Sequence, residues 1–194
     1  MRAPVRSRPR PFYFRVNEDP ARLDEVYTRV LGNRGSQMLT EDVKWLAVTH
    51  KSFDHGRRGF NDRLAFLGKL IVELQTSLAV IHSPSGAQAS TAEPSRDQYG
   101  RTPFEHPALK GLESINKAQD IDKDQLAQLG ERYGLASVIR WKPKKIDNLK
   151  GSGIETVLAQ SIYAIVGAVA LQKGGEVANR VVRERILMPL GVLS

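Results

Sequence analysis

Cysteine is absent from this 194-residue sequence, which excludes disulfide staples, thiolate metal sites and cysteine nucleophiles together. A reducing compartment permits that composition without being required by it. Histidine is scarce, with only His50, His55, His82 and His106. None has the i, i+4 partner and neighbouring acid of a helical zinc site. No metal and no cofactor is expected. A membrane span is not expected either: the most apolar run, Val157 to Leu171, is broken by Gln160 and Ser161 and is shorter than the roughly 20 residues a bilayer needs. Period-two alternation and internal repeats are missing too, so the pattern indicates neither sheets nor a solenoid.

What the chain does have is positive charge. A formal net charge of +8 and a pI of about 9.9 point to a polyanionic partner, most simply nucleic acid, or else to a basic solvated surface with no fixed partner. The first residues concentrate Arg2, Arg6, Arg8, Arg10 and Arg15 with no acid, while Pro4, Pro9 and Pro11 argue against a helix. Residues 1–18 therefore suit either a targeting segment or an extended arm along phosphates. Hydrophobic residues make up 41% of the chain, enough for one core, placed at residues 19–190.

Within that domain the apolar spacing is helical. Asp19 before Pro20 is a cap and first-turn pair for a helix carrying Leu23, Val26, Val30 and Leu31. A second helix starts near Thr40, with Val43, Leu46 and Ala47 on one face, and stops near Thr49; a basic, glycine-rich loop covers Lys51 to Phe60. From Asn61 to His82 apolar residues are too dense for one stripe, so that helix packs on several sides. Residues 83–107 form an irregular insertion. Pattern resumes at Leu109, Leu112 and Ile115, then at Leu126, Leu129 and Leu135. A basic turn from Lys142 to Gly153 leads to a helix over about Ile154 to Lys173. After Gly174-Gly175 a last amphipathic helix runs through Val177, Val181, Val182, Ile186 and Leu187. The fold class is all-α.

Two separated motifs carry chemical information. One is Thr49-His50-Lys51-Ser52, followed by Asn61-Asp62-Arg63-Leu64-Ala65-Phe66-Leu67-Gly68-Lys69. The other is Glu155-Thr156-Val157-Leu158-Ala159-Gln160-Ser161-Ile162-Tyr163-Ala164, continuing to Gly167-Ala168 and Gly174-Gly175. With Leu126 to Leu135 between them, these segments resemble the ribonuclease III endonuclease domain in order and spacing, from about Leu39 to Leu187. The resemblance implies that family's helical bundle. It also implies that two pairs of metal-binding carboxylates should sit four and three residues apart, on single helix faces, to hold magnesium for two-metal hydrolysis. Here those positions are Ala65 and Lys69, then Gln160 and Tyr163, and an ammonium at Lys69 repels a cation. The expectation is a non-enzyme. Asp62 and Glu155 remain nearby, as a relic acidic pocket or as ordinary solvated carboxylates. Lys69 is expected to pair with Asp62 or Glu73.

The resemblance further implies a dimer, with Phe66 inserting into a partner domain and Arg63, Leu67 and Leu70 beside it. The alternative for Phe66 is a plain core aromatic. Candidates for RNA contact are the arginines of the first segment (Arg2, Arg6, Arg8, Arg10), Arg57, Arg58, Lys142, Lys144, Lys145, Lys150, Arg180 and Arg183, near the aromatic Trp141. No double-stranded-RNA-binding domain is expected after the last helix. Among non-catalytic members the chain is most similar to fungal mitochondrial large-subunit ribosomal proteins of this fold. That similarity implies ribosomal RNA and neighbouring ribosomal proteins as partners, a second ribonuclease III-like ribosomal protein as dimer partner, and a mitochondrial matrix location. The rival readings are an accessory dimer partner of an RNA-processing nuclease and a divergent double-stranded-RNA endonuclease.

Overall fold

A computed structural model of the chain describes residues 14, 16–54, 56–82, 98–101 and 121–193. The first arginines, most of the 83–107 insertion, the Leu109 to Ile115 pattern, His55 and His106 lie outside the described residues.

Helix α1 spans Pro20–Leu31. The Asp19 carboxylate accepts the Ala21 amide at 2.9 Å, and Pro20 occupies the first turn, where no amide donor is needed. The helix buries Leu23, Val26, Val30 and Leu31 as its spacing predicts, and also Tyr27. Burial pushes the Tyr27 phenol far above its ordinary pKa, and its hydroxyl donates to the Lys44 carbonyl at 2.9 Å. Lys44 is itself buried, and its ammonium meets Asp24 at 2.6 Å. This pairing satisfies a charge that helical spacing alone assigns to solvent.

Helix α2 covers Glu41–Ala47, ending slightly before the expected stop because the chain then turns into an isolated parallel bridge between Thr49 and Arg140. Helix α3 is Asp62–Ile81 and α4 is Lys123–Arg132. The Asp122 carboxylate caps α4 while the Gln125 side chain accepts the Asp122 amide, a reciprocal capping box. Helix α5 is Ile154–Lys173. No strand occurs among the described residues, in keeping with an all-α bundle.

The bundle is built on α5. Apolar on every side, it has neighbours all round, packing most extensively on α3 and also on α2, α4 and the final helix. It has the bounds expected from the sequence and extends past the apolar run at both ends; by length and composition alone it could cross a membrane, but most of it is buried within the bundle. Ser161, which interrupts the apolar run, is satisfied by donating to the Val157 carbonyl at 2.8 Å.

The crossing of α3 and α5 depends on two glycines. A Cβ on Gly68 would strike the Tyr163 carbonyl, and one on Gly167 would strike the Leu64 carbonyl. The helices therefore meet backbone to backbone, an approach only glycine allows. At the far end of α5, Gly174 (φ 88°) breaks the helix. The expected single last helix is instead α6, Gly175–Val182, followed by a wider π turn over Arg183–Leu187. The Met188 amide reaches back five residues to the Arg183 carbonyl. That register keeps Ile186 and Leu187 in the core while the Arg183 guanidinium donates to Gln75 on α3 at 3.0 Å.

Candidate functional site

A cleft of about 530 Å³ opens between α3 and α5 beside their crossing. Ala65, Lys69, Gln160 and Tyr163, the positions singled out from the sequence, all line it. They present a methyl, an ammonium, an amide and a phenol. The rest of the lining includes Val72, Ala159 and Ile121, with Lys51 and Lys123 also contributing.

The cleft has its own internal partners. The Gln160 amide donates to Asp62 at 2.5 Å and to the Asn61 side-chain oxygen at 3.1 Å. Asn61 is fully buried and donates in turn to the Ala47 carbonyl at 2.9 Å, so one amide ties α2, α3 and α5 together. The second oxygen of Asp62 faces the Lys51 ammonium at 3.6 Å. Of the two partners expected for Lys69, Asp62 is thus engaged elsewhere. Lys69 pairs with Glu73 at 3.4 Å, one helical turn on, with both side chains about half exposed. Such an exposed pair contributes only a few tenths of a kcal/mol. No group of three or more acids and histidines able to hold a metal occurs among the described residues.

The Thr49-His50-Lys51-Ser52 segment is tied in at every residue. The Thr49 hydroxyl donates to Trp45 at 2.7 Å, and the His50 amide donates to the Arg140 carbonyl at 2.8 Å. The Ser52 hydroxyl oxygen accepts the Lys142 amide at 3.0 Å. His50 Nδ1 accepts the Ser52 amide at 3.2 Å, which assigns the ring proton to Nε2. Burial, then the Lys51 charge, hold the His50 pKa below the usual histidine value, with Asp62 opposing. The folded form therefore keeps a neutral ring. Its contribution to stability is complete above the ordinary value of about 6.5 and is lost as pH falls through the lowered folded-state value. An NMR titration should give a His50 midpoint below the ordinary value, with melting temperature falling as pH drops below about 6.5. His50→Asn should lose that part of the pH dependence; a midpoint at or above the ordinary value would contradict this.

These ties bring the two basic loops together. Segments 48–60 and 140–153 carry Lys51, Arg57, Arg58, Arg140, Lys142, Lys144, Lys145 and Lys150 against Asp54 and Asp147. Eight cations less two carboxylates leave these two segments a net charge of +6, against +8 for the whole chain. All but Arg140 are exposed. Arg180 and Arg183 do not join them. Arg180 lies 4.0 Å from Glu176 and Arg183 bonds Gln75, which stands about 20 Å along α3 from the loops at its start. Trp141 is also not available to RNA: it is 3% exposed and makes an edge-on contact with Phe14. The first segment's arginines lie outside the described residues, but Phe14 and Asn17, where that segment enters the fold, rest on Trp141 and Arg140.

Of the residues assigned to a dimer face, Arg63, Phe66 and Leu70 are exposed, and Leu67 is partly covered. The exposed face extends beyond them. Phe66, Leu70, Leu74 and Leu78 are 69%, 49%, 56% and 38% exposed, a ridge at four-residue spacing about 18 Å long. Phe66 is therefore not a plain core aromatic. Sequence reasoning missed Leu74 and Leu78 because a helix apolar on two sides does not say which side is covered. It also missed the stacking of Arg140 on Trp45, whose partners lie 95 positions apart in the numbering.

Residues 40–190 match the family model described as ribonuclease-III-like. Over 186 residues the chain is 48% identical to the large ribosomal subunit protein mL57 of Neurospora crassa, covering 94% of this chain and 68% of that protein. It is 30% identical over 155 residues to ribonuclease 3 of Pseudomonas fluorescens, covering 79% of this chain and 54% of that protein. A crystal structure of the nuclease domain of ribonuclease III from Campylobacter jejuni shares the fold, with a TM-score of 0.53 at 20% identity, over 86% of this chain and 94% of the other.

Proposed function

Because the chain belongs to the ribonuclease-III-like family, we propose that it has given up hydrolysis and serves as a structural protein of the mitochondrial large ribosomal subunit. In that role it holds ribosomal RNA on its basic loops and a second ribonuclease III-like protein on α3, in the mitochondrial matrix. The observation that carries this reading is the chemistry of the cleft. At the four positions where the family's resemblance puts carboxylates there is none, and the nearby Asp62 is already bonded to Gln160 and faces Lys51. Hard dications need anionic oxygen ligands, and a neutral amide with an ammonium beside it does not provide them. The 48% identity to a large-subunit ribosomal protein supports the assembly.

The basic face supports the RNA contact. Exposed cations gathered on two tied loops gain by releasing the counterions of a phosphate backbone, and such binding falls steeply with salt. Replacing both Lys144 and Lys145 with alanine should reduce the slope of log affinity against log salt by about 1.5, as expected for two lost phosphate contacts. An unchanged slope would remove these lysines from the interface.

Sedimentation of a mitochondrial lysate on a sucrose gradient tests the whole proposal. The chain is expected to migrate with the large subunit and to stay there at high salt. Release at high salt into a small complex with an active nuclease would favour the accessory-subunit reading. Cleavage of duplex RNA by the purified chain with magnesium or manganese would overturn the non-catalytic one.

A further inference from the structure

A second, smaller cavity of about 170 Å³ opens at the edge of the basic face, between α2 and the 49–59 loop. Trp45, Phe53 and Arg140 line it. The Arg140 guanidinium carbon lies 3.7 Å from the Trp45 ring centre and 5.9 Å from that of Phe53. Its backbone is fixed by the hydrogen bonds to Val48 and His50, and its Nε donates to the Asn17 carbonyl at 3.3 Å. The result is a held stack of flat groups, open to a hollow the size of one planar ring. Flat aromatic and guanidinium surfaces beside a phosphate-binding face are what unpaired bases stack on.

Two charged residues complete the hollow. Arg58 is exposed and lines it, with Asp54 as a loose partner at 3.6 Å. Asp42, in the first turn of α2, also lines it, with no hydrogen-bond or ion-pair partner among the described residues. A carboxylate is repelled by phosphate, so in a basic surface it is misplaced for backbone contact. It suits the edge of a base that offers N–H donors, and guanine offers two adjacent ones, N1–H and the N2 amino group.

We propose that this hollow receives one unpaired RNA base, with guanine preferred. The ring lies against Phe53 at the edge of the Arg140–Trp45 stack, its donor edge faces Asp42, and the flanking phosphates lie toward Arg58 and the adjoining lysines. This rests on the RNA-binding reading above and adds to it a single-stranded element and a base preference.

The test uses the full chain and three labelled probes at low salt: a hairpin with one guanine in an unpaired loop, the same hairpin with adenine there, and the stem closed as a blunt duplex. The guanine hairpin should bind about tenfold more tightly than the duplex, the scale of one base–aromatic stack. It should also change the protein's tryptophan emission, because Trp45 lines the hollow while Trp141 is buried. Phe53→Leu keeps an apolar side chain and should remove the preference for the loop, with thermal melting confirming an intact fold. Asp42→Asn should narrow the gap between guanine and adenine. Equal binding of loop and duplex, unaltered by Phe53→Leu, would overturn the base site and leave the phosphate face standing. Failure of all three probes to bind in a salt-dependent way would overturn both.

Discussion

Gly68→Ala should destabilise the protein by about 3 kcal/mol or more, the upper range for forced overpacking, and lower its melting temperature by about 6–12 °C. The added methyl would be driven into the Tyr163 carbonyl of the facing helix, and backbone cannot swing aside as a side chain can. Gly167→Ala should behave alike, since its methyl would meet the Leu64 carbonyl. The relief must come from separating α3 and α5, the most extensive packing in the bundle. Gly175→Ala is the control: a Cβ there meets nothing, so the change should be neutral or stabilising by up to ~1 kcal/mol. Thermal and denaturant unfolding followed by circular dichroism measures all three. A Gly68→Ala protein within about 0.5 kcal/mol of the parent would show that the helices have slack at their crossing.

Phe66→Asp should leave the isolated chain folded but weaken the proposed pairing with a second ribonuclease III-like protein at least a hundredfold. The ring is mostly exposed in the single chain, so little packing is lost there. In a dimer the same ring would be buried, at about 1.5–3 kcal/mol for a fully covered aromatic or leucine, and a carboxylate in its place would be desolvated without a partner. Leu74→Asp, further along the exposed ridge, should weaken the pairing too if the interface runs the length of α3. Sedimentation velocity of the co-expressed pair reads the effect, and a melting curve of the single chain checks the fold. Undiminished pairing by both variants would remove this face from the interface.

Much of the architecture is legible in the residues, because apolar spacing fixes which face of a helix must be hidden. The Asp19-Pro20 start of α1 and the burial of α5 follow from that pattern, while the gathering of Ala65, Lys69, Gln160 and Tyr163 around one cleft is what the family resemblance implies. Spacing does not say which neighbour does the hiding. Trp141 looks like an aromatic free to meet RNA, yet Phe14 lies against it in the core, while Trp45 lines a surface cavity under Arg140. Lys44 sits in a short helix where solvent is the default, and its burial is balanced by the ion pair with Asp24. The partner of Asp62 was equally hidden, since Gln160 reaches it across 98 positions of chain. Each of these misses concerns a contact made by tertiary packing, and none concerns the period of a helix.

The spacing of α3 and α5 is set by two hydrogen atoms, those that Gly68 and Gly167 carry in place of side chains, and not by anything lining the hollow beside them. Walls held from behind in this way stand at the same separation whatever residues face the opening. Shape and chemistry can then be inherited separately: side chains facing the opening can be exchanged one at a time without the groove closing over the change. A fold with that property can change its trade while keeping its form.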